Sequence, residues 1–219
     1  DVAVHYPVVS LLAETTPGES APDYNTYMDL SRTIYDDGMD NDIIDDHSIL
    51  RGEIQNGTLK VGDNKYQALV FGPEETVRRP VIEKSLKMAE SGGTVIFYGQ
   101  LPTHSAEAGR DDPALASLLS RLFGSSPEGL SQTRLTVHQF DSGGEAVFLP
   151  AVAEKIPALL TTHISRDVIT SGGDVFMAHR RVGETDIYLF QNTQQDAITL
   201  QARLRADGVP ERWDPMTGN

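Results

Sequence analysis

Short apolar segments predict a buried sheet in the first two thirds of the chain. Residues 2–6 are a β-rich run that Pro7 ends. Residues 68–71 and 94–98 are nearly continuous apolar runs, a pattern typical of strands that are buried on both faces. Ile43 and Ile44 form a shorter run of the same kind that leads into acidic residues. The sequence therefore predicts strands at these four places.

Apolar residues at helical spacing separate these strands. The pattern covers residues 24–35, 80–90 and 112–123, with proline near the start of the last two and glycine just beyond their ends. Alternating strands and helices indicate a mainly parallel sheet with helices on both faces. We therefore predict a flavodoxin-like three-layer α/β domain over residues 1–165, of the class I glutamine amidotransferase type.

The last quarter of the chain has a different pattern. Residues 175–181, 186–192 and 198–205 resemble consecutive strands, which predicts a β-rich extension over residues 166–219. The chain starts on Asp1, almost inside its first strand, and closes on an aromatic and turn cluster around Trp213. We expect it to be a piece of a longer protein.

Charge and composition exclude several classes of function. The chain has 18 basic and 32 acidic side chains and a net charge of −14, which disfavours binding to nucleic acids and to anionic membranes. It has no cysteine, and therefore no thiolate nucleophile or thiolate metal site. Neither a membrane span nor a signal-peptide pattern is visible in the sequence given.

Motifs for several catalytic chemistries are absent from the sequence. It contains no Gly-x-Ser-x-Gly, no phosphate-binding loop, no Gly-x-Gly-x-x-Gly and no His-Glu-x-x-His. An amidotransferase needs a nucleophile on a sharp turn after a strand, but the strand through Tyr98 continues into Gly99 and Gln100. Amidotransferase activity is therefore not expected.

The densest chemical feature is a cluster of six aspartates within eleven residues. A solvated acidic loop is the first interpretation, polar contacts in a crevice the second and a Ca²⁺ site the third, although the spacing does not fit an EF-hand. The cluster comprises Asp36, Asp37, Asp40, Asp42, Asp45 and Asp46.

The end of this cluster coincides with the carboxyl end of a predicted strand. In open α/β sheets ligands or partner domains dock beyond such strand ends, although turn residues there are equally expected of any tight connection. We assign no metal, and the five scattered histidines His5, His104, His138, His163 and His179 receive no role. The candidate crevice residues, for a sugar or a domain interface, are Tyr6, Asp45, Asp46, His47 and Gln100.

Several short segments, in order, resemble the amidotransferase-like domain inside large bacterial glycoside hydrolases. They are similar above all to the family 106 α-L-rhamnosidases, and family 42 β-galactosidases carry a similar domain. The segments are DVAVHYP at 1–7, IIDDHSIL at 43–50, YQALV at 66–70, GGTV at 92–95, HRR at 179–181, DIYLFQN at 186–192 and WDP at 213–215.

The resemblance implies a larger enzyme around this chain. A preceding barrel would supply at least the general acid, β-sandwich domains would follow, and the substrate would be a carbohydrate. Inverting enzymes place two carboxylates roughly 6.5–9.5 Å apart, and family 106 members invert and use Ca²⁺ near the sugar. The parent would be periplasmic or extracellular, with no cofactor in this chain. His47 stands where the family often has Glu, and no catalytic carboxylate is assigned.

Three hypotheses of function follow. The first is an internal domain of a multidomain α-L-rhamnosidase-like hydrolase that flanks the active site and is inactive alone. The second is a stand-alone carbohydrate-binding or assembly module that uses the same crevice. The third, a free-standing hydrolase that uses the acidic cluster, ranks lowest because no paired partner or activated nucleophile is visible.

Overall fold

The computed structural model describes residues 1–14, 25–131, 133–150 and 153–218. They form two compact units, Asp1–Ser165 (unit 1) and Arg166–Asn219 (unit 2). Among the residues described, no helix is long and apolar enough to cross a membrane.

The described part of unit 1 has six helices and eleven strands. Its helices are α1 (Val8–Glu14), α2 (Asn25–Asp36), α3 (Asp46–Arg51), α4 (Arg79–Glu90), α5 (Pro113–Phe123) and α6 (Ile156–Leu160), with single 3-10 turns at Pro127–Gly129 and Ala153–Lys155. Its strands are β1 (Val2–His5), β2 (Asn41–Ile44), β3 (Glu53–Gln55), β4 (Thr58–Val61), β5 (Asn64–Tyr66), β6 (Ala68–Phe71), β7 (Thr76–Val77), β8 (Thr94–Tyr98), β9 (His104–Ser105), β10 (Thr136–Gln139) and β11 (Glu145–Leu149).

A six-stranded sheet in the order β10-β11-β8-β6-β1-β2 forms the centre of unit 1. Strands β11, β8, β6, β1 and β2 run parallel, and all residues of β1 and β6 are buried. One apolar cluster joins the sheet to α3, α4 and α5, and a second joins it to α2 and α6. The continuous apolar runs seen in the sequence are therefore strands covered on both faces.

The flavodoxin-like, amidotransferase-like class predicted from the sequence is corrected by the structure. The described chain is rich in strands, which form five sheets of mixed direction, and the main sheet ends in the antiparallel strand β10. The alternating residues of β10 reach β11 through a tight turn with Gly143 at φ 86°, which is hairpin geometry. The alternation of strands and helices along the sequence did not show how many strands pair with a neighbour in an antiparallel hairpin.

The β3–β4 hairpin is fixed by a very close approach of two glycine turns. Asn56 and Gly57 both have left-handed φ angles, 49° and 72°, as the predicted Asn-Gly turn requires. A Cβ built on Gly57 would lie 2.4 Å from the carbonyl carbon of Gly92, and one on Gly93 would lie 2.2 Å from the carbonyl oxygen of Gly57. The backbone N–H of Gly57 also donates to the hydroxyl of Ser91 at 3.2 Å. Only residues without a side chain fit at this crossing.

Unit 2 consists of two two-stranded antiparallel sheets. Its strands are β12 (Val168–Ser171), β13 (Val175–Val182), β14 (Thr185–Asn192) and β15 (Gln201–Leu204), paired as β12–β15 and β13–β14. Val168 and Met177 are buried, whereas Ile187 and Leu189 are about half exposed. The strands predicted at 175–181 and 186–192 are confirmed, and β12 is an additional strand that the sequence reading missed.

Candidate functional site

The candidate site lies where β1, β2 and β6 reach their carboxyl ends. Tyr6 follows β1, Asp45 follows β2, and Gly72 follows β6. These strands are neighbours in the order β6-β1-β2, so their ends meet at one edge of the sheet. This edge is where open α/β sheets commonly bind their partners.

A small pocket opens at this edge, with a volume of about 190 Å³. The ring of Tyr27 also packs against Tyr6 with 4.8 Å between centroids. The pocket is smaller than the roughly 300–1,000 Å³ of typical small-molecule sites. Its lining includes Pro7, Ser10, Glu14, Tyr27, Gly72 and Pro73.

Beside the pocket, the buried side chain of His5 lies between two carboxyl groups. Its Nε2 is 2.7 Å from Oδ1 of Asp46, and its Nδ1 is 3.2 Å from Oε1 of Glu74. Phe71 packs against the imidazole with 4.8 Å between ring centroids. We name His5, Asp46 and Glu74 the His5 cluster, and it ties β1 to α3 and to the connection that follows β6.

Burial and charge act against each other within the His5 cluster. Burial alone would lower the pKa of His5, but the neighbouring Glu74 and Asp46 carboxyls outweigh it and raise the pKa to about 9. Burial raises the pKa of Glu74 above its ordinary value, although the imidazole opposes this change. Oε2 of Glu74 is buried without a hydrogen-bond partner among the described atoms. These groups are part of the interior and are not available to a substrate.

Ser10 links this cluster to the pocket wall. Its hydroxyl oxygen accepts from the backbone N–H of Glu75 at 3.0 Å and of Thr76 at 3.2 Å, and its O–H donates to Glu14. The residues of the β6–β7 connection thus touch α1 through Ser10 and β1 through Glu74. The wall of the pocket and the His5 cluster share one segment of backbone.

The structure disperses the acidic cluster rather than focusing it on one point. Asp36 faces Arg32 at 3.4 Å on an exposed helix surface. Asp42 accepts from the hydroxyl of Tyr66 at 2.7 Å. In the ranges that the structure covers, no group of three His, Cys, Asp or Glu residues could hold a metal ion. The described residues therefore do not fit the Ca²⁺ interpretation of this cluster.

Asp45 and Asp46 have structural partners of different kinds. Asp45 is the N-cap of α3 and accepts from the backbone N–H of Ser48 at 2.8 Å. These hydrogen bonds to Ser48 lower the pKa of Asp45 below its ordinary value. Asp46 is buried against His5. The adjacent aspartates therefore start a helix and anchor a histidine.

The remaining candidates lie at different places along the edge. Tyr6 is half-buried and its backbone N–H donates to the carbonyl of Ile44 at 2.8 Å. His47 points outward on α3, and exposed Gln100 follows β8, which is separated from β1 by β6. The structure thus brings Tyr6 and Asp45 close through adjacent strand ends and leaves Gln100 farther along.

Sequence reasoning missed four residues of this region. His5 was assigned no role, and Ser10, Glu14 and Glu74 were not considered at all. His5 carried one usable signal, because it is a polar residue at the end of a fully apolar strand. Glu74 carried none, since it lies 69 positions from His5 along the chain.

Solved structures with a similar fold include β-galactosidases. Gan42B, a GH42 β-galactosidase from G. stearothermophilus, aligns with a TM-score of 0.62 and 13% identity over 86% of this chain and 34% of its own. The β-galactosidase from Bacillus circulans sp. alkalophilus aligns with a TM-score of 0.60 and 13% identity over 90% of this chain and 36% of its own. The cold-adapted β-galactosidase from Rahnella sp. R3 aligns with a TM-score of 0.63 and 15% identity over 89% of this chain and 36% of its own.

These alignments, at 13–15% identity, show the fold alone. The chain spans about a third of the length of the galactosidases that it matches. Their fold replaces the flavodoxin-like assignment, and the comparisons give the amidotransferase-like resemblance no support.

Sequence comparison identifies the family. The model of glycoside hydrolase family 106, described as alpha-L-rhamnosidase, matches residues 18–219. The chain belongs to this family. A search among curated proteins finds no match.

Proposed function

We propose that this chain is an internal, non-catalytic domain of a multidomain α-L-rhamnosidase-like glycoside hydrolase, next to an active site that a preceding barrel domain supplies. The observation that carries the proposal is that the carboxyl groups at the crevice hold parts of the fold together. Glycoside hydrolysis needs an acid and a base or nucleophile on either side of the glycosidic bond. A carboxyl group that is buried in the interior cannot reach the glycosidic bond.

The carboxyl groups at the edge are held by the protein itself. Asp45 caps α3, and Asp46 and Glu74 are buried against His5. Glu14 is exposed at the pocket, where it accepts the hydroxyl of Ser10. Among the described residues that line the pocket, Glu14 is the one carboxylate, which supports a contact with a sugar or a neighbouring domain rather than a catalytic pair.

The shape of the pocket supports the same proposal. It combines an aromatic ring, Tyr27, with the polar groups of Ser10 and Glu14 in a space of about 190 Å³. A small pocket of this composition suits one edge of a sugar ring or a side chain of an adjoining domain. The preceding barrel, the following β-sandwich domains and the carbohydrate are the partners that we propose.

Activity assays on two lengths of protein test this function. We expect the parent to hydrolyse an aryl α-L-rhamnoside and residues 1–219 alone to be inactive. In the parent, Glu14→Gln should change KM more than kcat, because the residue contacts and does not react. Glu90→Gln, an exposed change on α4, is the matched control. Hydrolysis by residues 1–219 alone would overturn the proposal.

A stand-alone carbohydrate-binding module is the second candidate. The presence of an aromatic ring, Tyr27, and a carboxylate, Glu14, in one pocket favours it. Calorimetric titration of residues 1–219 with L-rhamnose separates the two candidates. Saturable binding that Tyr27→Ala abolishes would favour the binding module. Absence of binding by the chain alone would favour the internal domain.

Two further properties of the parent are part of this proposal. A periplasmic or extracellular location suits a hydrolase that acts on external carbohydrate. The residues described in this chain do not fit a calcium site, so we propose that other domains hold any calcium ion of the parent. Fractionation and metal analysis of the full-length enzyme test both statements.

A further inference from the structure

The hydrogen bonds of the His5 cluster require one proton more than its separate groups carry near neutral pH. Both ring nitrogens of His5 face carboxyl oxygens, at 2.7 Å and 3.2 Å. An ionised carboxylate only accepts, and a neutral imidazole has a single N–H to donate. Two contacts therefore need two protons, supplied by an imidazolium or by a neutral imidazole with a protonated Glu74.

Among the charged groups that act on Glu74, none other than His5 could supply a positive charge if this proton were lost. The side chains of His5, Asp46 and Glu74 are 2%, 9% and 1% exposed. The charged groups that act on Glu74 are His5 on β1, Asp46 on α3 and Glu14 on α1, so the imidazole is the one cation among them. Loss of the proton would leave two buried carboxylates beside a neutral imidazole, one of them facing a ring lone pair, an arrangement that dry surroundings penalise strongly.

The consequence of losing the proton falls on the pocket. The longer of the two contacts joins Nδ1 of His5 to Glu74. Glu74 lies in the β6–β7 connection, which also provides Gly72 and Pro73 to the pocket wall. We propose that one proton held between His5 and Glu74 latches this connection onto β1, and that its release in alkaline solution opens the wall of the pocket.

The electrostatics set the range in which the latch works. Because the pKa of His5 is raised to about 9, the closed form keeps the proton throughout neutral pH. The gain from the bound proton is complete below the ordinary value of about 6.5 and disappears as the pH rises through about 9. The pocket wall is therefore closed in neutral and acidic solution and loosens in alkaline solution.

Hydrogen–deuterium exchange on residues 1–219, corrected for intrinsic rates, tests the latch. Between about pH 6.5 and pH 9 the protection of residues 72–77 should fall about tenfold per pH unit, the slope for release of one proton, and it should level off at higher pH. The central strand β8 exchanges only through global unfolding, so it should stay more protected than residues 72–77 at every pH. Protection of residues 72–77 that does not change with pH would overturn the proposal. Exchange of residues 72–77 at the same rate as β8 would also overturn it, since that would indicate general unfolding rather than local opening.

The variant Glu74→Gln isolates the proton itself. Its amide N–H can donate to Nδ1 of a neutral imidazole, which closes both contacts without the additional proton. The alkaline loss of protection should therefore disappear in Glu74→Gln. Glu75→Gln, which removes the same charge one residue away, is the matched control and should keep the wild-type response. An unchanged alkaline transition in Glu74→Gln would overturn the proposal.

A second measurement keeps the proposal falsifiable if Glu74→Gln does not fold. Nitrogen-15 NMR of the imidazole in the wild-type chain reports the protonation of each ring nitrogen directly. We expect the His5 resonances to shift near pH 9. A titration of His5 near pH 6.5, like an ordinary exposed histidine, would contradict the latch without any substitution.

Discussion

Two histidines in this chain each lie between two carboxyl groups, one in unit 1 and one in unit 2. His5 joins Asp46 and Glu74 in a buried cluster. His179 joins Asp167 and Asp186, with Nδ1 and Nε2 at 2.9 Å and 3.0 Å from their oxygens. We name this second set the His179 cluster, and the two sets have the same connectivity.

The surroundings of the two clusters differ in charge and in access to water. Arg205 donates to Asp167 at 2.7 Å, so the second cluster has a permanent cation that the first lacks. The side chains of His179 and Asp186 are 12% and 14% exposed, and Tyr188 stacks on the imidazole at 4.3 Å. The His5 cluster is therefore buried without an arginine beside it, whereas the His179 cluster has an arginine and more contact with water.

The largest expected effect is the loss of the buried imidazole. His5→Ala should lower the free energy of unfolding by about 3–5 kcal/mol, because it leaves two carboxyl groups buried without a cation. Urea unfolding followed by circular dichroism measures the change. His47→Ala, an exposed histidine on α3, is the matched control and should stay within about 0.5 kcal/mol. A small loss for His5→Ala would remove the distinction between the clusters.

The pH dependence of stability should be the next largest effect. His5 has its folded pKa raised from 6.5 to about 9, so its contribution is complete below about pH 6.5 and is lost as the pH rises through about 9. The free energy of unfolding of the wild type should fall by about 3 kcal/mol across this range. Denaturation at pH 6.5 and 9.5 checks this, and His5→Gln should show a flatter dependence. An equally steep curve for His5→Gln would assign the pH dependence to other groups.

A smaller loss is expected for the corresponding change in unit 2. His179→Ala should cost about 1–2 kcal/mol, since Arg205 still pairs with Asp167 and water reaches Asp186. Hydrogen exchange in β13 and β14 follows the local loss of stability. A penalty as large as that of His5→Ala would show that the arginine and the exposure do not matter.

The smallest effect concerns the helix that carries Asp46. Asp45→Ala removes the N-cap of α3 and should cost about 1 kcal/mol, the usual value for a lost cap. Thermal unfolding measures it, with Asp63→Ala in an exposed turn as control. If this loss equalled that of His5→Ala, the cluster would act mainly by holding the first turn of α3.

The strands and helices of unit 1 could be predicted where burial imposes a simple pattern. Residues 68–71 are fully buried and read as an apolar run, and the helix predicted at 80–90 is observed as α4 (Arg79–Glu90). The short helices α1 and α3 were missed because seven and six residues show too little periodicity. Sheet pairing was harder still, since the antiparallel pairing of β10 depends on a turn rather than on the strand itself.

The sequence predicted where the residues of the site lie along the sheet, but it did not predict which residues they contact. Asp45 and Asp46 could be placed at a strand end, because a short apolar run precedes them. Their opposite roles, one capping a helix and one buried against His5, depend on contacts across the fold. A count of carboxylates cannot separate these roles, and hydrogen bonds between residues 69 positions apart leave no local signal.

The crossing of Gly57 with Gly93 has a consequence for how this family can vary. Each glycine occupies the space that a side chain on the other would need, since both built Cβ atoms lie within 2.4 Å of the opposite backbone. The two positions therefore share one evolutionary constraint: neither can accept a methyl group while the hairpin keeps its place. Relatives that lose one of these glycines are expected to have a longer or displaced β3–β4 hairpin. The length of the segment between β2 and β6 should therefore differ in relatives that have another residue at either position.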